Sequence, residues 1–373
     1  MSSTARASHE MNSRLRCCIR PPLALLDVLP FKWRYASTWR MLPARRPHDQ
    51  QRVPGREGRC NNCGVAERYL IAIATYLRPK GLQRLLDSVE VAISSAPEDM
   101  APVDVVVVDN DADGSARSTA ADHRLGATYV VEPEPGISAA RNRALDHFSD
   151  RYSAIIFVDD DEWVSPAWLT TLTTYAAQTR ADVVVGPVIS VFLENTPEWV
   201  TRGGFFTQRL RPSGEQLRHA PTHNTLLLRD AWVRAGSPRF DPAFSRTGGE
   251  DTDFFHGIRK SGADILFCAE AAVYEEVPVD RQSLRFVRRR AIREGANETR
   301  VLRKHRDPVA ISLARGVRSG VYGILFLGLG LATGRGVQAR PYFSLFYALG
   351  QFAGMFNYQV EGYTRATGSN TGR

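Results

Sequence analysis

Ala154-Ile155-Ile156-Phe157-Val158-Asp159-Asp160-Asp161-Glu162-Trp163 is the stretch on which the reading of the whole chain turns. It begins as an apolar run rich in β-branched side chains, the mark of a buried strand. The run ends in four consecutive acids. Carboxylates so close repel one another, and a divalent cation removes that repulsion. Oxygen-only donors point to Mg²⁺ or Mn²⁺ rather than zinc. In open α/β sheets, ligands gather at the carboxyl ends of the strands, where these acids lie. The competing reading is a solvated acidic turn, with Ser165-Pro166 opening the helix that follows.

The flanking chain favours the first reading. Residues 69–76 read as a buried strand closed by Leu77-Arg78-Pro79, and Leu82, Leu85, Leu86, Val89 and Ile93 then recur at helical spacing. Residues 103–108 form a second strand that ends in Asp109-Asn110-Asp111, and Pro135-Gly136-Ile137-Ser138 leads into a helix over 139–148. Past the acids, residues 183–188 and 265–273 each read as one strand and 225–228 as a short one, while 194–222 reads as a long irregular connection. Gly248-Gly249-Glu250-Asp251-Thr252-Asp253 opens a helix running to Lys260, with its acids in the first turn, where the helix dipole favours them. Strands and helices alternate, as in a mostly parallel sheet covered on both faces. The first strand leads into neither GxxxxGK[ST] nor GxGxxG, which argues against a P-loop NTPase or a dinucleotide dehydrogenase.

The ends of the chain differ from this body. Residues 1–66 carry 12 of the 48 Lys and Arg but 4 of the 40 acids, so the net charge of +8 belongs to this proline-broken segment. It is expected to be disordered, and a translation start at Met11, Met41 or later is an alternative reading of it. The remainder is neutral, and no nucleic-acid partner is expected. Five cysteines, among them the lone pair Cys60 and Cys63, make neither a disulfide framework nor a zinc site. Residues 281–318 hold 12 basic residues against 3 acids, and two uncharged stretches follow at 319–334 and 341–360. The first falls short of the roughly 20 residues of a spanning helix, and the second is punctuated by glycine and rich in aromatics. A basic arm beside apolar segments suits the cytoplasmic face of an anionic bilayer; a helical cap or a dimer interface is the alternative. The expected division is a leader at 1–66, a catalytic domain at 67–280 and a membrane-associating tail at 281–373.

Residues 69–275 resemble inverting family 2 glycosyltransferases of the GT-A fold. The resemblance rests on Ala74-Thr75-Tyr76-Leu77-Arg78-Pro79, Val107-Val108-Asp109-Asn110, Gly136-Ile137-Ser138-Ala139-Ala140-Arg141-Asn142-Arg143-Ala144, Val158-Asp159-Asp160-Asp161 and Gly249-Glu250-Asp251-Thr252-Asp253-Phe254. Five motifs in order across some two hundred residues are far more specific than any one alone. Within the family, the likeness is nearest to bacterial exopolysaccharide glucosyltransferases of the succinoglycan type. The resemblance implies a nucleotide cradle at Thr75, Tyr76 and Arg78, and a uracil contact at Asp109 with Asn110 beside it. It implies that Arg141 and Asn142 approach the nucleotide sugar, and that Asp159 and Asp161 form the DxD pair around Asp160. Asp159 would touch ribose or sugar and Asp161 the metal. Asp251 would be the catalytic base and Glu250 a neighbour of the acceptor. Glu275-Glu276 stands where some of these enzymes place a further metal-binding His.

The residue types suit such a reaction. A Lewis acid stabilises the leaving diphosphate, and one carboxylate takes the proton of the attacking hydroxyl. One base without a paired nucleophile implies a single displacement with inversion. The expected partners are a nucleotide sugar (UDP-hexose), a lipid-linked saccharide acceptor and the cytoplasmic membrane surface. The runner-up within the fold is a polyprenyl-phosphate hexosyltransferase. A sugar nucleotidyltransferase would normally open with a glycine-rich loop and a lysine, which this chain lacks. A non-enzymatic basic scaffold is the remaining alternative. His223-Asn224 and Arg239-Phe240-Asp241-Pro242 are expected to shape an acceptor pocket, and Trp163, Trp168 and Trp199 to lie in the core or stack on sugars.

Overall fold

The acids of the opening stretch stand at a junction between two sheets. The computed structural model describes residues 68–193, 196–206, 211–356, 358 and 360. The 1–66 leader, with Cys60 and Cys63, lies outside the described residues. The first half of the chain runs β1 (Arg68–Thr75), α1 (Pro79–Ser94), β2 (Val103–Asp109), α2 (Arg117–Ala121), β3 (Thr128–Val131), α3 (Ile137–Asp146), β4 (Tyr152–Asp159), β5 (Glu162–Val164) and α4 (Trp168–Thr179). It continues through β6 (Val183–Val185), β7 (Val188–Val191), α5 (Glu198–Gly203), β8 (Thr225–Leu228), α6 (Arg229–Arg234), α7 (Glu250–Lys260), β9 (Ile265–Phe267) and β10 (Val273–Glu276). Three helices follow: α8 (Leu284–Lys304), α9 (Val309–Ala332) and α10 (Ala339–Met355).

The large sheet has the order β3-β2-β1-β4-β8-β6-β9, and only β8 runs against its neighbours. Alternation along β1 puts Ile71 and Ile73 in the core layer beneath α1 and α4, and Leu70 and Ala72 in the layer beneath α3, α6 and α7. The fold class is therefore mixed α/β of the GT-A type, with a helical C-terminal extension. A small sheet, β5-β10-β7, stands beside the large one.

Two stretches that read as single strands are each divided between the sheets. Residues 183–185 lie in the large sheet and 188–191 in the small one, and 265–267 and 273–276 divide in the same way. The chain also crosses at Asp160-Asp161, between β4 and β5. Asn224 ties two crossings together. Its side-chain amide donates to the Pro187 and Ala271 carbonyls at 2.9 and 2.7 Å, while Trp168 Nε1 donates to its Oδ1 at 2.8 Å. Gly186 passes so close that a Cβ would lie 2.1 Å from the Ala271 carbonyl oxygen. The irregular 194–222 connection contains the short α5.

The tail also departs from expectation. Helix α9 begins at Val309, well before the uncharged stretch, and its 24 residues span about 36 Å. Among the described residues it is the one helix long and apolar enough to cross a membrane. Residues 341–355 of the other uncharged stretch lie in the 17-residue α10, which packs on α8 through glycines: Gly295 lies against the Tyr347 carbonyl and Gly350 against that of Ile292.

Replacing Asn224 with Ala leaves the Ala271 carbonyl and the Trp168 indole N–H buried without partners and takes from the Pro187 carbonyl one of its two, the other being the Val273 amide. The expected loss is about 2–4 kcal/mol of unfolding free energy, measured by denaturant titration. A loss below about 0.5 kcal/mol, the range of a neutral surface change, would show that the crossings do not depend on it.

Candidate active site

The parallel pairing of β1 with β2 and β4 aligns their carboxyl ends, so Ala74 lies opposite Asp159 and Thr75 opposite Asp109. Asp160 points inward and is buried. Its Oδ2 accepts from the Thr75 hydroxyl at 2.8 Å and the Tyr76 amide at 3.4 Å, and its Oδ1 accepts from Arg78 Nη1 at 2.9 Å. Burial pushes its carboxyl up to about 6, against the pull of Arg78. Arg78 also donates to Asp161 Oδ2 at 2.8 Å. Helix α1 presses on the turn from outside, where Gly81 lies against the Asp160 carbonyl and Arg84 donates to that of Asp161 at 3.2 Å.

The turn leads directly into β5, whose Glu162 pairs across the small sheet with Glu275 of β10. Glu162 is buried, accepts from the Asp159 amide at 3.1 Å and is pushed well above the carboxylate range by burial and then by Asp159. Burial and the nearby Asp161 likewise push Glu275 up. Arg281, on the 3-10 turn Val279–Arg281, contacts both sides: Nη1 is 2.8 Å from Glu275 and Nη2 is 3.5 Å from Asp161.

Arg141 of α3 links the acid turn to α7. Its Nη2 lies 3.3 Å from Asp159 Oδ1, and its Nη1 pairs closely with Glu250. Glu250 is buried, and burial raises its carboxyl to about 7 although Arg141 opposes the shift. Asp251, next along the first turn of α7, is half-exposed, and its Oδ1 accepts from the Thr252 amide at 2.6 Å. The first turn of α7 also carries Asp253, which is held by Lys304 and His305 from the end of α8. The antiparallel register of β8 on β4 carries His223 toward Asp159. Its Nδ1 is buried without a hydrogen-bond partner, 3.9 Å from Glu162, and burial pushes its basicity down.

Thr75, Tyr76, Arg78, Arg141, Asp159, Asp160, Asp161, Glu250 and Asp251 thus gather at the carboxyl edge of the sheet. Three of the expected donor-contact residues are also bonded to loops. Asp109 is fully buried and accepts from the Asp111 and Ala116 amides and the Tyr129 hydroxyl, so its oxygens serve the loop. Asn110 donates to the Glu132 and Glu134 carbonyls and accepts from the Gly136 amide. Asn142 exchanges both side-chain bonds with the backbone of Phe240, at 2.8 Å each. A short polar side chain at a strand end or early in a helix holds a loop as readily as a ligand, and here the loops claim all three. Asn224 is likewise a tie within the fold rather than a pocket residue. Trp168 is core, Trp163 lies under the Arg84 guanidinium, and Trp199 packs on Phe205. The sequence reading missed Glu162 as a buried acid and Arg281 altogether. Glu162 was in view as the fourth acid of the run, whereas nothing near Arg281 in sequence marks its return to the distant acid turn.

Residues 70–233 match the family described as Glycosyl transferase family 2. The succinoglycan biosynthesis protein ExoM of Rhizobium meliloti (strain 1021) is 38% identical over 236 residues, which cover 62% of this chain and 74% of that protein. Glycosyltransferase GlyA of Streptococcus pneumoniae serotype 4 is 28% identical over 127 residues, 33% of this chain and 17% of that protein. Among solved structures, the mannosyltransferase PcManGT from Pyrobaculum calidifontis, in complex with GDP-Man and Mn²⁺, superposes with a TM-score of 0.51 at 17% identity. The match covers 79% of this chain and 88% of that one, a likeness of fold. The chain belongs to the family 2 glycosyltransferases.

Proposed function

We infer that this glycosyltransferase moves a hexose from a nucleoside diphosphate donor, UDP-glucose being the first choice, onto a lipid-linked saccharide. The reaction inverts the anomeric centre, uses Mg²⁺ or Mn²⁺ and serves exopolysaccharide or cell-surface glycan synthesis. The observation that carries this reading is the acid turn itself. It is pinned by Thr75 and Arg78 at the carboxyl edge of the sheet and joined through Arg141 to the first turn of α7. The kinship with a succinoglycan biosynthesis protein supports the saccharide class.

The donor set fits a hard cation. Asp159 and Asp161 supply oxygen alone, and arginines now balance their charge. The fold relative solved with Mn²⁺ agrees. When bound, such an ion supplies positive charge to the leaving diphosphate. This chain's own groups do the remainder. Asp160 stays engaged with Thr75 and Arg78 and fixes the turn. Asp251 takes the proton from the acceptor hydroxyl as that oxygen attacks the anomeric carbon, and the bond to the diphosphate breaks on the opposite face. Glu250, clamped by Arg141, sets the first turn of α7 and borders the acceptor.

The tail supports a membrane-borne acceptor. Val317, Val321, Ile324, Leu325, Phe326 and Leu329 leave an exposed apolar face on α9, and Arg285, Arg288 and Arg289 are exposed on α8. Together they suit the anionic cytoplasmic face of an inner membrane. On this reading, 67–280 is the catalytic domain and 281–373 the membrane-associating tail.

Calorimetric titration with UDP tests the donor site. Wild-type protein is expected to bind UDP only with Mn²⁺, and Asp161→Asn to lose that binding. Asp251→Asn is expected to keep it while transfer falls by about 10²–10⁴-fold. Metal-dependent binding of GDP instead of UDP would change the donor base, and no nucleotide binding by folded protein would remove the donor assignment. A second test uses pH. Because the Glu250 carboxyl is raised from 4.5 to about 7 in the fold, the folded state holds its proton longer than the unfolded chain. Its contribution to stability is therefore full at low pH and is lost as pH rises through about 7. Glu250→Gln should gain stability relative to wild type between pH 5 and 8 in thermal melts, and parallel curves would contradict the neutral carboxyl.

A further inference from the structure

Arg281 stands on a strap between the small sheet and the C-terminal helices. The strap is anchored at both ends. The Val277 amide donates to the Val191 carbonyl at 3.1 Å, and the Ser283 hydroxyl caps α8 by accepting from the Phe286 amide at 3.1 Å. Between these anchors Val279 is 71% exposed, and Gln282 donates to the Val277 carbonyl at 2.9 Å. From this strap the guanidinium reaches back to Glu275 and to Asp161 Oδ2, the same oxygen that Arg78 holds at 2.8 Å. Two guanidinium groups thus share one carboxylate oxygen. The Arg281 contact is the longer and therefore the weaker.

We propose that Arg281 is a built-in counter-cation that guards Asp161 until the donor arrives, and then becomes a ligand of the donor's diphosphate. The proposal rests on the donor reading above and adds an exchange of partners to it. A divalent cation entering alone must displace Arg281 from Asp161, and the displaced guanidinium is left beside a new positive charge. A cation entering with a nucleoside diphosphate removes that conflict. Asp161 turns to the cation, and Arg281 finds phosphate oxygens that match its planar fork of N–H donors. No covalent bond changes; two ion pairs trade partners. Cation and diphosphate therefore bind with positive coupling, and each raises the other's affinity by the same factor.

A plain structural tie and an exchanging counter-cation predict different results for Arg281→Ala. The test uses the full chain, with Mn²⁺ followed by electron paramagnetic resonance and UDP by calorimetry at saturating Mn²⁺. Removal of the guard is expected to tighten Mn²⁺ binding without nucleotide and to weaken UDP binding, each by about tenfold, so that the coupling between them shrinks. Arg281→Lys, which keeps the charge without the fork, should hold Mn²⁺ affinity near wild type while UDP binding still weakens. Arg180→Gln, at an exposed arginine that ends α4 outside the site, should change neither. Affinities that move in the same direction, or do not move, would overturn the exchange and leave Arg281 a tie between strap and sheet. Failure of wild-type protein to bind UDP at all is a separate result, which removes the donor reading itself.

Discussion

Asp160 is buried under the Thr75 hydroxyl and the Arg78 guanidinium, and this contact holds the turn that carries Asp159 and Asp161. The chain must leave the large sheet at this point and enter the small one, carrying three carboxylates through two residues of turn. Turning the middle acid inward separates the outer two: Asp159 meets Arg141, and Asp161 meets Arg78 and Arg281. The middle acid of the three is the one the fold holds most tightly. Gly81 and Arg84 of α1 serve the same turn from outside, which ties the first helix to the chemistry of the fourth strand.

Arg141 also joins the acid turn to α7. Arg141 holds Asp159 with one nitrogen and Glu250 with the other, so α3 sets the spacing between β4 and α7. Lys304 and His305 then hold Asp253 in the first turn of α7, and Asn297 of α8 lies against Gly249, whose φ of +88° suits glycine. The C-terminal helices therefore reach the first turn of α7 directly. Within them Glu298 is buried among Arg315, Tyr347 and Gln351, which explains how α9 can start at Val309 and carry an arginine in its first turns.

Local signals made much of this legible. The apolar run into Asp159-Asp160-Asp161 and the acids opening α7 are patterns within ten residues, and both elements stand where those patterns put them. The sheet crossings left no such trace. Val183 to Val188 is apolar without a break, and only Gly186-Pro187 hints that the chain changes sheets there; the companion crossing at 268–272 has no comparable mark. Motif transfer did not show that Asp109, Asn110 and Asn142 also hold loops, because side-chain type does not tell a loop tie from a ligand contact. Arg281 was hidden because its partner is distant in sequence. The uncharged stretches of the tail misled for another reason: helix ends follow capping and packing, whereas a count of uncharged residues follows charge alone.

The most direct test of the account is anomalous diffraction at the manganese edge from crystals grown with UDP and Mn²⁺. The account predicts one manganese site bonded to Asp161 and to the diphosphate, at the carboxyl end of β4, with Asp160 still held by Thr75 and Arg78. Manganese elsewhere, or a nucleotide bound away from the β4–β5 turn, would contradict it.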